Sequence, residues 1–481
     1  MKANFIVILG VTLALPLANA STALTEAYLK RLISQKPPSV QQIEASFLGA
    51  KQAKLTQEDQ LGLRIEGEGQ IYKSDERLLN NFDGGVTARA TSYSVGLVKP
   101  TRYGVDLGLK AFGSKSTNAF VTGAATNGAS VSLSVDLYQN FLGRRTNNDL
   151  KKSTLSLQRA ELEKKSSLKT FESNVRKLYW ALVANNERHR LLGSLVKTAE
   201  KQYKESVKKK RSGAADSGEV ARFRSQWSSR KADLLSLEYQ KVDLLKSLKE
   251  ILPELNGKAI TMGSYSVEKT VSDVLACTQV IASHTGSPLK YTVYDEIVAS
   301  LEKEEELERK VTSAHSGPNI KLVGEYATVG RGFGFGSARE DFYNESQPRT
   351  SLGLQISMPL DGRKKKTKEV IEALNKNRYQ AEAKQNISKI NAFHSETVRL
   401  VMTLREVIKN QKETNKYLAK SLRVSAKKYK QARISLQELI GEQDAHLQSQ
   451  LKEIDSNLII VNTLIDYFSI YMDTPCDFNK I

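Results

Sequence analysis

Two stretches of this chain keep a single register across almost half its length. Asn140-Phe141-Leu142-Gly143-Arg144-Arg145 opens one long helical segment, and Met358-Pro359-Leu360-Asp361-Gly362-Arg363-Lys364 opens another. Gly143 and Gly362 lie 219 positions apart, and the same offset carries Glu219 onto Glu438. It also carries Leu168, Phe171 and Leu182 onto Ile387, Ile390 and Val401. A register held that far without insertion points to internal duplication.

No proline falls between Pro100 and Pro253, or between Gly362 and Pro475. In the second copy Ile387, Ile390, His394, Thr397, Val401, Leu404, Ile408, Gln411, Asn415, Leu418, Leu422, Ser425 and Tyr429 step by three and four. That is the narrow seam of a coiled coil, and its polar members Gln411, Asn415 and Ser425 predict a partly wet interface. From Gly143 to Gly213, and again from Gly362 to Ala432, an unbroken helix is about 100 Å long at the helical rise. The segment from Gly213 back to Pro253 covers roughly 60 Å, and the run from Pro288 to His315 about 40 Å more. The outward and return lengths nearly cancel.

Both long helices follow alternating segments. Val131, Leu133, Val135 and Leu137 alternate with Ser132, Ser134, Asp136 and Tyr138, and Leu352, Leu354 and Ile356 alternate with Gly353, Gln355 and Ser357. Similar runs cover Leu61 to Tyr72, Ser92 to Val98, Gly104 to Phe112 and Ile320 to Thr328. Runs of about ten residues with one apolar face suit membrane barrel strands. The Gly-, Ser- and Asn-rich stretches Ser114 to Asn127 and Gly330 to Pro348 read as exposed loops.

The N-terminus, Met1-Lys2, an apolar run to Leu17, then Ala18-Asn19-Ala20, reads as a secretory signal peptide too short to span a bilayer. With Lys2 removed, 71 basic and 53 acidic residues give the mature chain a formal charge of +18. Export permits a disulfide between Cys277 and Cys476, and two unpaired buried thiols are the alternative.

Nucleic-acid binding is set aside, because the bases are spread along helices beside acids, as from Leu301 to Lys310. No catalytic group, metal site or cofactor is expected. His189, His284, His315, His394 and His446 lack ligand spacing. The run Gly330-Arg331-Gly332-Phe333-Gly334-Phe335-Gly336 is not a dinucleotide fingerprint, because no helix is expected after it at the required spacing, and it is read as a barrel loop with aromatic residues near the membrane interface. Phe82-Asp83-Gly84-Gly85 mimics the junction motif but opens no long helix.

With the duplicated plan, the junctions around Gly143, Arg144, Gly362 and Arg363, and the turn from Tyr429 to Leu439 on the page, the chain resembles the TolC-like outer-membrane efflux proteins. The resemblance implies an α+β membrane protein, with long antiparallel helical hairpins forming a periplasmic coiled-coil tunnel. It implies a homotrimer in the outer membrane, each protomer giving four strands to one shared twelve-stranded barrel set in outer-membrane lipid. A periplasmic adaptor and an inner-membrane pump are the implied partners, in tripartite efflux or type I secretion. The family's adaptor-docking motif, Arg-hydrophobic-Ser, falls on Arg433-Ile434-Ser435. The first copy departs from it: Ala214 and Asp216 hold the corresponding positions, and Arg211, Ser212 and Gly213 form that turn. The family's acidic gate rings point to Glu438, with Gly441 at the second position and Glu442 and Asp444 beside it, and to Glu219 in the first copy. The plain alternative for Glu438 is a solvated carboxylate pairing with Arg433 or another base.

The organisation so read is a signal peptide over 1–20, N-terminal helices over 21–59, and a first strand region over 60–141. The first hairpin covers 142–252, an inter-repeat segment 253–287 and an ascending helix 288–317. A second strand pair covers 318–359, the second hairpin 360–473 and a tail 474–481. The competing reading is a periplasmic coiled-coil adaptor or scaffold, which would carry one hairpin in a soluble β-domain rather than two led by amphipathic strands.

Overall fold

The computed structural model describes residues 22–74, 87–118, 122–262, 271, 292–315, 317–358 and 363–470. The leader, Phe82 to Gly85, Gly362, Cys277 and Cys476 lie outside them.

Duplication survives as geometry. Helix α3 spans Arg144–Arg211 and α7 spans Arg363–Lys430, each 68 residues or about 100 Å. Their return helices, α4 (Ser217–Ile251) and α8 (Leu436–Ile470), are each 35 residues. Every one of these bounds repeats at the 219-residue offset. Before them come β1 (Thr22–Leu24), α1 (Glu26–Ser34), α2 (Pro38–Asp59), β2 (Arg64–Lys73), β3 (Thr87–Pro100), β4 (Val105–Asn118) and β5 (Ala124–Asp136). Between the hairpins lie β6 (Ile260–Met262), α5 (Val293–His315), β7 (Asn319–Phe333), α6 (Phe335–Glu345) and β8 (Gln347–Ser357).

The chain forms two compact units. In one, Val175, Tyr179, Leu182 and Val183 of α3 pack with Val401, Leu404 and Ile408 of α7 and Ile460, Leu464 and Ile465 of α8. Spacings of three and four put each set on one helix face. Leu29 and Leu32 of α1 join this core, and Glu26 anchors α1 by accepting from Trp180 Nε1 at 2.7 Å and Arg176 Nε at 3.2 Å. Further along α7, Gln411 Oε1 and Asn415 Oδ1 are buried without a hydrogen bond among the described residues. Two such acceptors suit water between the helices, as the polar seam predicts.

The other unit holds one antiparallel sheet, ordered β2-β3-β4-β5-β7-β8. Ile65, Leu97, Leu109, Val131 and Tyr326 form a single row across it. All are exposed, Ile65 at 76% and Val131 at 51%. The adjacent row on the opposite face is Glu66, Gly96, Lys110, Ser130, Ala327 and Arg349. An exposed apolar face backed by a polar one is the membrane-barrel pattern.

Three expectations are corrected here. Among the described residues the sheet has six strands, where the resemblance implies four in the barrel. The segment read as a loop from Ser114 to Asn127 is strand as far as Asn118 and again from Ala124. The stretch read as a loop from Gly330 to Pro348 is strand as far as Phe333 and then helix α6. Its glycines admit that helix: a Cβ on Gly330 would lie 2.1 Å from Phe342 N and 2.5 Å from Ala338 O. Asp341 Oδ2 accepts from Arg331 N at 2.7 Å, and Asn127 Nδ2 donates to Phe335 O at 2.8 Å. Eleven residues are too few to hold a helix alone. Packing on the sheet holds it, which local sequence does not reveal.

In the same unit Glu304 of α5, 2% exposed, receives Arg159 Nε of α3 at 3.1 Å. Arg159 also reaches Glu163 at 3.3 Å and Glu382 of α7 at 3.8 Å. Burial raises the Glu304 pKa, while Arg159 pulls it down. Replacing Arg159 by Met leaves a buried, unpaired carboxylate and should cost roughly 3 kcal/mol at neutral pH. The penalty should shrink as pH falls and Glu304 takes up a proton. Adding Glu304→Leu should restore most of the loss, with all of these read as thermal stability of the assembled protein.

Candidate functional site

The two hairpins turn by one backbone device. Gly213 N donates to Lys210 O at 3.1 Å and Ala214 N to Lys209 O at 2.8 Å. At the repeat offset, Ala432 N donates to Tyr429 O at 3.0 Å and Arg433 N to Lys428 O at 2.9 Å. Each pair closes a Schellman motif on the last carbonyls of a long helix. The left-handed step falls on Gly213, with φ 73°, and on Ala432, with φ 54°. Glycine takes that conformation freely, whereas alanine is strained there by about 1 kcal/mol.

The next helices start on side-chain caps. Asp216 Oδ1 accepts from Glu219 N at 2.7 Å. Ser435 Oγ accepts from Glu438 N at 3.2 Å, and Glu438 Oε2 accepts in return from Ser435 N at 2.9 Å. This reciprocal capping box satisfies two otherwise orphaned amides. Glu438 is exposed, and its carboxylate engages the Ser435 amide.

Charge at the turns follows the helix dipoles. Lys208, Lys209, Lys210 and Arg211 crowd the last turn of α3, and Lys427, Lys428 and Lys430 that of α7. Cations are favoured beside those C-terminal carbonyls. Arg211, Ser212, Arg433 and Ser435 are exposed, and Ile434 is half-buried. Ser212 Oγ donates to Lys209 O at 2.9 Å.

Glu219 differs from its counterpart. Its Oε1 accepts from the Tyr429 hydroxyl of the other hairpin. The Tyr429 ring meets Phe223 edge-on at 6.4 Å, and Lys209 Nζ lies 5.2 Å from its centre. Burial, then Glu219, raises the Tyr429 pKa, so the phenol keeps its proton at any physiological pH. Deeper along the helices Asp444 pairs with Arg230, which also reaches Asp233 at 3.6 Å. Gln226 Nε2 donates to Gln443 Oε1 at 2.9 Å between them. Glu442 is half-buried, and its Oε2 has no hydrogen bond among the described residues. These contacts tie α4 to α7 and α8. Sequence reasoning placed Tyr429 in the seam and passed over Arg230. The Asp216–Glu219 and Ser435–Glu438 spacing was the legible capping signal.

The strand-to-helix junction is equally defined. Asn140 Oδ1 accepts from Thr146 N at 2.9 Å, and Asn140 Nδ2 donates to Thr146 Oγ1 at 2.7 Å. Gly143 has φ 76°, and a Cβ there would lie 1.7 Å from Arg102 O. Arg144 begins α3, and Arg363 begins α7, exposed. Among the described residues no group of His, Cys, Asp or Glu could hold a metal ion, and no helix is long and apolar enough to cross a membrane.

The class of fold is two equal helical hairpins, each following strands of one antiparallel sheet with a bare apolar face. Residues 88–253, from β3 through the first hairpin, match the family of outer membrane efflux proteins. The fold is that of solved outer-membrane channels. CusC, described for conformational changes accompanying folding and transmembrane channel formation, aligns with a TM-score of 0.66 at 16% identity, over 94% of each chain. VceC of Vibrio cholerae aligns with a TM-score of 0.64 at 14% identity, over 92% of this chain and 96% of that one. The CmeC outer membrane channel of Campylobacter jejuni gives 0.65 at 14% identity, over 97% and 93%. No curated protein matches the chain in sequence. The resemblance to TolC-like proteins read from the junctions and turns is borne out, and the matches are channel proteins rather than enzymes.

Two outcomes are expected at these positions. Gly143→Ala should abolish assembly, because both φ and the Arg102 carbonyl exclude a Cβ, read as loss of the folded oligomer from membranes. Ala432→Gly should relieve about 1 kcal/mol of strain and slow amide exchange at Arg433 several-fold.

Proposed function

We propose that this chain is one protomer of a homotrimeric outer-membrane duct that carries cargo from an inner-membrane pump, through a periplasmic adaptor, to the exterior. It serves tripartite efflux or type I secretion. One observation carries the reading: β5 of the apolar-faced sheet ends at Asp136, and the 68-residue α3 starts at Arg144, so strand and tunnel helix are one continuous chain. A bare apolar sheet face belongs in lipid, where the outer membrane supplies its partner. Leu235, Tyr239 and Val242 of α4 are exposed at helical spacing, a stripe that a neighbouring protomer covers. The solved channels of like fold include the open state of MtrE of Neisseria gonorrhoeae, and opening and closing is the property we assign to the hairpin ends here.

In this reading Arg211, Ser212 and Gly213 of the first turn and Arg433, Ile434 and Ser435 of the second meet the adaptor. Glu438 and Glu442 face the narrowing, where three copies of each carboxylate concentrate cations. Glu219 and Asp444 hold the resting state through Tyr429 and Arg230, because each bond joins different hairpins.

Fractionation tests the duct: heat-modifiable oligomers in outer membranes are expected, whereas a soluble periplasmic monomer would favour the scaffold reading. In planar bilayers the Tyr429→Phe, Arg230→Ala double variant should conduct severalfold more than the parent. Glu438→Gln should weaken cation preference. Unaltered conductance and selectivity would remove these residues from the gate.

A further inference from the structure

Helix α6 lies on the apolar side of the sheet. Tyr93, Gly113, Asn127 and Gly330 form one row across β3, β4, β5 and β7. Each stands four residues from Leu97, Leu109, Val131 or Tyr326, so this row shares their face. A Cβ on Gly330 would strike the backbone of α6, and one on Gly332 would come 2.7 Å from Ala338 N. The helix therefore sits on that face, where Ala125, Asn127 and Ala338 are buried.

Beside it the face is hollow. Val95, Ala111, Ala129 and Thr328 make the adjacent row. The two alanines leave an open groove of about 520 Å³, with Leu97, Leu109 and Val131 along its side. Tyr93 closes its far end. The ring lies across Gly113, where a Cβ would be 2.4 Å from Tyr93 Cζ. The Tyr93 hydroxyl donates to Asn127 Oδ1 at 2.8 Å, and Asn127 Nδ2 donates to Phe335 O at 2.8 Å. The Tyr93 and Phe335 rings stand 5.5 Å apart. This stop is held in place before any ligand arrives.

Positive charge lies beyond the stop. Lys115, two residues past Gly113 on the same face, is opposite Thr91, and Arg89, two residues past Thr91, is opposite Lys73. Lys115 and Arg89 are exposed, and no carboxylate pairs with either among the described residues. Depth places them at headgroup level. Along β7, Ile320 to Gly330 covers about 34 Å of strand, or about 26 Å along the membrane normal at a tilt near 40°. The apolar band of a membrane barrel is about 25 Å tall. The Tyr93 row thus marks the edge of the band, where amphipathic rings settle, and Lys115 and Arg89 stand just outside it.

We infer that this groove is the binding site of one anionic lipid, an acyl chain lying on Ala111 and Ala129 and a phosphate headgroup held by Lys115 and Arg89. The inference rests on the lipid-facing sheet of the duct proposed above. A smooth apolar wall is wetted by any lipid, whereas a slot with a fixed end and bases at headgroup depth selects by charge. A zwitterionic lipid fills the same slot, but its own ammonium group competes with the bases for the phosphate. Helix α6 is then the element that fixes the outer end of the slot.

Native mass spectrometry of the full-length oligomer tests this, in detergent supplied with dioleoyl phosphatidylglycerol or dioleoyl phosphatidylcholine. The parent should retain phosphatidylglycerol severalfold over phosphatidylcholine, saturating at one per protomer. Lys115→Gln with Arg89→Gln should bring the two lipids level. Ala111→Leu with Ala129→Leu, which fills the groove and keeps the bases, should lower retention of both. Glycerophosphoglycerol, the headgroup without chains, should displace neither; displacement would mark a site for free phosphate and overturn the proposal. Equal retention by the parent, a preference that survives loss of both bases, or retention untouched by filling the groove would also overturn it. Each of these results, in an oligomer that still shifts on heating, leaves the duct standing. Absence of the parent chain from outer membranes would remove both.

Discussion

A peptide group inside a bilayer has no water to bond to, and that constraint governs the sheet of this protein. Each of its six strands places one apolar and one polar row on opposite faces, so the sheet suits a boundary between lipid and an aqueous bore. Each internal strand has a neighbour on both sides, and the open edges of the sheet are β2 and β8.

The helices answer a different demand. Sixty-eight residues without proline make a rod too long for any compact core, so its stability comes from a seam shared with antiparallel neighbours. Apolar packing is concentrated around Tyr179, Leu182, Val401, Ile408 and Ile460. Towards the turns, polar bonds join the buried Phe223, Leu436 and Leu439: Asn415 to Glu453, Arg230 to Asp444, Tyr429 to Glu219. Polar contacts between helices exchange with water more readily than an apolar seam does.

Duplication supplied one backbone plan and divergence supplied the chemistry. Both turns close by the same pair of hydrogen bonds, but Asp216 caps its helix alone and leaves the Glu219 carboxylate to reach Tyr429. Ser435 instead engages Glu438 in a reciprocal box. Two carboxylates at equivalent positions thus have different work, and a one-residue difference at the cap explains it. The glycine-rich end of β7 is a comparable case: Gly330 and Gly332 look like loop residues, yet their missing side chains make room for α6.

The repeat offset, the freedom from proline and the alternation of Val131, Leu133 and Val135 were enough to define two long hairpins led by membrane-facing strands, because helical and strand periodicity are local properties. The turn positions around Gly213 and Ala432 were legible for the same reason. The partners of Glu219, Glu438 and Asp444 were not, since nothing local relates Tyr429 to Glu219 or Arg230 to Asp444. Nor could the chain alone reveal that α6 forms, or that the alternating runs at β2 and β3 pair into one sheet with the other four. Those outcomes depend on contacts between residues far apart in sequence, where packing space and unmet hydrogen bonds decide, and only the folded arrangement contains them.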